Sequence, residues 1–142
     1  MSHILIVPGL HNSGPQHWQS LWHQQYPHWL RVTGQTWERA DLATWSQRVA
    51  DLLLASDEPL HLVAHSFGSL ASIAAAARHP EKIASLFLVA PADPAHFAIA
   101  DSIASRSHIF TKTACMEYAG QCLQSRLSIS VSLGVLLMVC LL

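Results

Sequence analysis

The chain has 142 residues, 51% of them apolar and 12% charged, with a formal net charge of -1 at pH 7. That is one domain's length with ample material for a buried core, which excludes a disordered chain. Eight Lys and Arg against nine Asp and Glu, with no basic run, also exclude the electrostatic footprint of a nucleic-acid binder.

Residues 1–10 carry neither Lys nor Arg and turn at Pro8-Gly9 after a short apolar run, unlike a secretory signal, so a cytoplasmic protein is expected. Residues 3–7, 31–35, 60–64 and 85–90 are short runs rich in Leu, Ile and Val between turn residues, the pattern of buried parallel strands. Between them, Trp18, Leu21, Trp22 and Tyr26 share one helical face, and Leu42, Trp45, Val49, Leu52 and Leu53 share another, with Asp41 placed to cap the second helix. A third helix runs from Phe67 to about Arg78 through a series of alanines, and Pro80 stops it. Strand and helix in alternation predict a doubly wound parallel α/β sheet with right-handed crossovers. Ligands of such sheets bind beyond the carboxyl ends of the strands, so residues 8–14, 65–68 and 91–94 are expected to converge on one crevice.

The chemistry centres on Leu62-Val63-Ala64-His65-Ser66-Phe67-Gly68, where a hydrophobic strand runs directly into a small-residue helix through a turn at Ser66. A nucleophile elbow needs this arrangement, because the serine must project from a strained turn with small residues two before and two after it. Ala64 and Gly68 are those residues, with Ala64 in the position where Gly is usual. The Phe67 N–H then sits at a helix N-terminus, where an oxyanion would develop, and the second donor is expected from the Leu10 N–H in the loop after the first strand. His11, in the same loop, is placed to contact substrate.

Several segments together resemble a known family. The run Ile6-Val7-Pro8-Gly9 is followed by Asn12-Ser13-Gly14-Pro15-Gln16-His17-Trp18-Gln19-Ser20-Leu21-Trp22, then by Asp41-Leu42-Ala43-Thr44-Trp45. The Ala64-His65-Ser66-Phe67-Gly68 elbow and Leu88-Val89-Ala90-Pro91-Ala92-Asp93 complete the order. Over about residues 3–100 the chain resembles the small α/β-hydrolase-fold serine hydrolases of the retinoblastoma-binding-protein-nine type. The resemblance implies a cytoplasmic serine hydrolase with a Ser, Asp, His triad, no cofactor, and a small-molecule ester or amide as substrate.

It also implies further strands after Asp93, whose ends carry the triad Asp and His. Beyond residue 100 the acids are Asp101 and Glu117 and the His is His108, none in a strand-then-loop setting. Composition changes there too: all five Trp precede residue 46 and all three Cys lie at or after Cys115. The expected organisation is therefore an incomplete hydrolase-like core over residues 1–106, its C-terminal strands missing, and a divergent apolar tail over 107–142. Asp93 and His96, after the strand next to the nucleophile strand, are the local substitutes for the missing acid and base. A chain that lacks the last strands should expose a sheet edge and self-associate.

The remaining motifs are quieter. Cys115, Cys122 and Cys140 form no CxxC and have no histidine after His108 to join them, so no metal site or disulfide set is expected. The other histidines, His3, His17, His23, His28, His61 and His79, show no metal spacing and are expected to be structural or solvated, while His65 faces away from the Ser66 hydroxyl and makes a poor base. Trp18, Trp22, Trp37 and Trp45 read as core and pocket wall. The apolar stretch from Val131 to Leu142 is shorter than the ~20 residues of a membrane span.

Overall fold

The computed structural model describes residues 3–93, 97, 128–132 and 135–141. In chain order the elements are β1 (Ile4–Val7), a 3-10 turn (Leu10–Asn12), α1 (Trp18–Gln25), β2 (Leu30–Arg31), α2 (Leu42–Ala55), β3 (Leu60–His65) and α3 (Phe67–Arg78). A 3-10 turn (Pro80–Lys82), β4 (Ile83–Val89), β5 (Ser128–Ser132) and β6 (Val135–Leu141) complete them. The sheet runs β2-β1-β3-β4-β6-β5. The first four strands are parallel, while β6 is antiparallel to both β4 and β5.

Alternation along the strands sorts their side chains onto two faces. Leu5 and Val7, Leu60, Leu62 and Ala64, and Leu86 and Leu88 form one core with Trp45, Val49 and Leu53 of α2 and Leu70, Ile73 and Ala75 of α3. The alanines of α3 let it lie close on the sheet, and Ala71 and Ala75 are fully buried. At the start of α2, the Asp41 carboxylate accepts from the Thr44 N–H at 3.1 Å, the expected cap, and that bond holds its pKa below the ordinary value. The opposite face presents Ile6, Val63 and Phe87, and α1 lies there with Trp22 against Phe87 at a ring separation of 6.3 Å. Helices thus occupy both faces, as the alternating pattern predicts.

Chain direction changes at β1. The chain steps from β1 outward to β2, then returns to place β3 on β1's other side and β4 beyond it. The carboxyl ends of β1 and β3 therefore form a topological switch point, the place where open α/β sheets bind their ligands.

Two expectations need correction. The second strand is shorter than residues 31–35. Val32 still donates to the Ile6 carbonyl at 3.0 Å, but Gly34, at φ +72, turns the chain away. The open edge expected at β4 is covered: β6 pairs along it from Ser85↔Leu141 to Val89↔Leu137, and β5 becomes the outer strand on that side. The apolar run near the C-terminus thus contributes strands of high β-propensity to the sheet. Cys115 and Cys122 lie outside the described residues.

Candidate active site

Ser66 sits between β3 and α3 with φ 52 and ψ −123, a conformation that costs a non-glycine residue about 1–3 kcal/mol. Its backbone is held from both directions. The Ser66 N–H donates to the Val89 carbonyl at 3.1 Å, and the Ser66 carbonyl accepts from the N–H groups of Ala92 at 3.2 Å and Ser69 at 3.0 Å. The end of β4 thus clamps the turn. The loop after β1 clamps it from the other side. A β-carbon on Gly68 would fall on the Pro8 carbonyl and within 2.6 Å of the Val7 oxygen, and one on Gly9 would lie 3.0 Å from the Ser66 Cβ. Glycine at both places allows the two backbones to meet. Of the three segments expected to converge, these contacts bring together Pro8 and Gly9, residues 65–68 and Ala92; residue 94 lies outside the described residues.

Phe67 opens α3, so its N–H has no partner within the helix. Leu10 opens the short turn after Gly9. Among the described residues neither N–H donates a hydrogen bond to any acceptor. Both lie next to residues in contact around Ser66, and the Phe67 ring is buried against Trp45 beneath the turn. His11 is exposed at φ 63, with its N–H bonded to the Trp37 carbonyl at 3.0 Å. Asp93 is exposed after β4, and His96 lies outside the described residues. Among the described residues no side chain bonds the Ser66 hydroxyl.

Two clusters beside the elbow escaped the sequence reading. In the first, Gln19 of α1 is fully buried. Its amide nitrogen donates to the Val7 carbonyl at 3.1 Å and the Val63 carbonyl at 3.0 Å, and its oxygen accepts from the Ser13 hydroxyl at 2.7 Å. Arg31 donates to the Asn12 carbonyl at 2.9 Å, the Ser13 carbonyl at 3.3 Å and the Ser20 hydroxyl oxygen at 3.2 Å. The signal was a glutamine one residue after Trp18 in a helix otherwise read by its aromatics. The predicted stripe is rotated in the structure, because Gln19 turns inward while Leu21 is 46% exposed.

The second cluster is aromatic. The His65 ring packs on His17 at 4.6 Å and on Trp18 at 6.2 Å, so it is directed to the α1 face. Burial lowers the pKa of both histidines, assisted by the Arg31 charge near His17 and by His17 near His65. Both shifts favour the neutral ring. A separate cavity of about 530 Å³, bounded by Gly34, Gln35, Thr44, Gln47, Arg48 and Asp51, lies at the β2–α2 corner rather than at Ser66. No group of three or more His, Cys, Asp or Glu able to hold a metal ion occurs among the described residues.

The family model described as serine hydrolase matches residues 4–137, and the chain belongs to that family. The crystal structure of a YdeN-like hydrolase from Pectobacterium atrosepticum is 40% identical and superimposes with a TM-score of 0.67. The match covers 72% of this chain and 56% of that one, so this chain spans little more than half the length of that structure. No curated protein matches the chain.

Proposed function

We propose that the chain carries the acylation half of a serine hydrolase site of the retinoblastoma-binding-protein-nine type, with a small-molecule ester or amide as substrate. The single observation that carries this reading is Ser66 at φ 52, ψ −123 between a strand and a helix, with Gly9 and Gly68 closing on it. In the reaction, the Ser66 oxygen attacks the carbonyl carbon while its proton passes to a base. The carbonyl oxygen becomes an oxyanion between the N–H groups of Phe67 and Leu10. Collapse expels the alcohol or amine, which takes up the proton, and water then cleaves the acyl-serine. His11, on the rim, meets the substrate. The setting of this reading is the cytoplasm, on the sequence grounds given above; among the described residues no helix is long and apolar enough to cross a membrane.

The base is what limits the chain. A serine hydroxyl is a weak nucleophile until a positioned group takes its proton, and a site without its full triad keeps roughly 10³ to 10⁴ of catalysis over water. In this reading residues 1–106 supply the nucleophile and the oxyanion donors, residues 107–142 do not supply the family's acid and base, and Asp93 with His96 is the substitute pair. Turnover of a p-nitrophenyl ester should be weak and lost in Ser66→Ala. Equal loss in His96→Ala would establish the substitute base. A fluorophosphonate probe that labels wild type and Ser66→Ala alike would overturn the reading and leave a binding protein that keeps the pocket without the chemistry.

A further inference from the structure

Gln19 lies where β1 and β3 part. Val7 pairs with Ala64 at the last step of that ladder, and above it the two strands diverge around the switch point. The ladder already engages the Val7 and Val63 carbonyls at this last step, and each oxygen has a second lone pair to offer. One amide nitrogen donates to both, with N–O distances of 3.1 and 3.0 Å. A planar NH₂ group directs its two hydrogens along fixed directions, so it ties the strands at one separation. The oxygen of the same amide, 2.7 Å from the Ser13 hydroxyl, ties that point to the loop after β1.

That loop needs holding. His11, Asn12 and Ser13 have φ of 63, 60 and 45, a left-handed run that non-glycine residues adopt only under constraint. Arg31 and the Ser20 hydroxyl engage the Asn12 and Ser13 carbonyls, and Gln19 engages the Ser13 side chain. Leu10, whose N–H is the second oxyanion donor in the proposed reaction, immediately precedes this run.

We propose that Gln19 is a positioning residue: by bridging the β1 and β3 carbonyls and Ser13 it sets the width of the crevice and the place of the Leu10 N–H beside Ser66. The inference rests on the hydrolase reading for its effect on rate, but not for its effect on the loop. A donor displaced by a fraction of an ångström costs the transition state more than it costs binding of the ground state.

The test uses Ser13→Ala, which cuts the loop tie and leaves both strand ties, and Gln19→Glu, which replaces two donors by an acceptor facing two carbonyls. Val49→Ala, in the core on the other sheet face, is the control for lost stability alone. Intact-mass kinetics with a fluorophosphonate give the limiting rate of Ser66 modification and the half-saturating concentration, and amide hydrogen exchange reports on residues 9–14. For Ser13→Ala the limiting rate should fall about tenfold with half-saturation unchanged within about twofold. Exchange over 9–14 should rise, while Val49→Ala changes neither at a temperature where it stays folded. Unchanged exchange in Ser13→Ala overturns the inference, as does unchanged limiting rate in a wild type that labels, or an equal fall of rate in Val49→Ala. A wild type that does not label at Ser66 defeats the hydrolase reading, and the exchange measurement then decides the inference by itself. Gln19→Glu should exceed Ser13→Ala in both readouts, and a smaller effect would overturn it too.

Discussion

The two faces of the sheet are built on different principles. On the α2 and α3 face, Leu, Val, Ala and Trp side chains interlock without exposure, and Trp45 is 1% accessible beneath Phe67. On the α1 face the deepest side chain of the helix is a glutamine, while Trp22 remains 37% exposed. The first face stabilises the domain through area removed from water, and the second spends its buried positions on hydrogen bonds that hold backbone in place. The strained turn at Ser66 stands at the junction, with Ala64 and Phe67 directed to the first face and His65 to the second.

The comparison is broken most sharply by paired tryptophan truncations. Trp45→Ala should cost about 3–5 kcal/mol in urea unfolding, since it empties the largest site in a dry core. Trp22→Ala should cost about 1 kcal/mol or less, because its ring already meets water. Equal losses would show that the α1 face is a core in its own right. The exposed Leu21 and Trp22 bear on association as well. With β4 covered, self-association of the chain is to be sought at the outer strand β5 or on this face. Sedimentation at increasing concentration should show oligomers, and replacing Leu21 and Trp22 by Lys should reduce them if the helix face contributes.

Next in size is the junction itself. Gly68→Ala places a methyl against the Pro8 and Val7 carbonyls, which are backbone and cannot rotate away. A cost of about 3 kcal/mol or more is expected, measured by the shift of the denaturation midpoint. An effect near that of an ordinary helical Gly→Ala change, which is stabilising, would mean that β1 and α3 are less closely apposed.

Much of this was legible in the sequence because the signals were local. Continuous apolar runs give the strands, Asp41 three residues before Thr44 gives a cap, and Ala64-His65-Ser66-Phe67-Gly68 gives the sharp turn from strand to helix. The Gln19 bridge was not legible, since its partners Val7 and Val63 offer only carbonyl oxygens, which every residue has. The inward rotation of α1 followed from that hidden bond, so the aromatic stripe pointed to the wrong side. The pairing of β6 with β4 was illegible for a related reason: a short apolar run does not announce whether it is helix, strand or loose tail, and only a partner edge decides it. The left-handed backbone of His11, Asn12 and Ser13 was not legible either, since none of them is a glycine.

Acid separates the faces by a smaller margin. The lowered pKa values of His17 and His65 mean that the unfolded chain, with histidines near the ordinary 6.5, takes up protons before the folded one does. Stability on the α1 face is therefore fully present above about pH 6.5, declines as pH falls through that value, and levels off once the folded-state pKa values are passed. Both rings keep some contact with water, so the loss should stay under about 1 kcal/mol between pH 7 and 5. His65→Asn should flatten that part of the pH dependence of the urea midpoint. An unchanged slope would place the acid sensitivity elsewhere.

The smallest expected effect has the opposite sign and concerns the serine itself. Ser66 holds φ 52, ψ −123 because Val89, Ala92 and Ser69 bind its backbone and because Pro8 and Gly9 lie against the turn. Glycine reaches this conformation without the steric penalty of a β-carbon, but its unfolded chain has more conformational freedom to lose. The strain relieved, about 1–3 kcal/mol, exceeds the entropy lost, about 0.5–1 kcal/mol, so Ser66→Gly should raise stability by about 0.5–1 kcal/mol. Ser66→Ala keeps the β-carbon and should leave stability nearly unchanged. Both should abolish fluorophosphonate labelling. A Ser66→Gly protein no more stable than Ser66→Ala would mean that the turn bears no strain, and that its conformation is set by the hydrogen bonds around it rather than held against a steric cost.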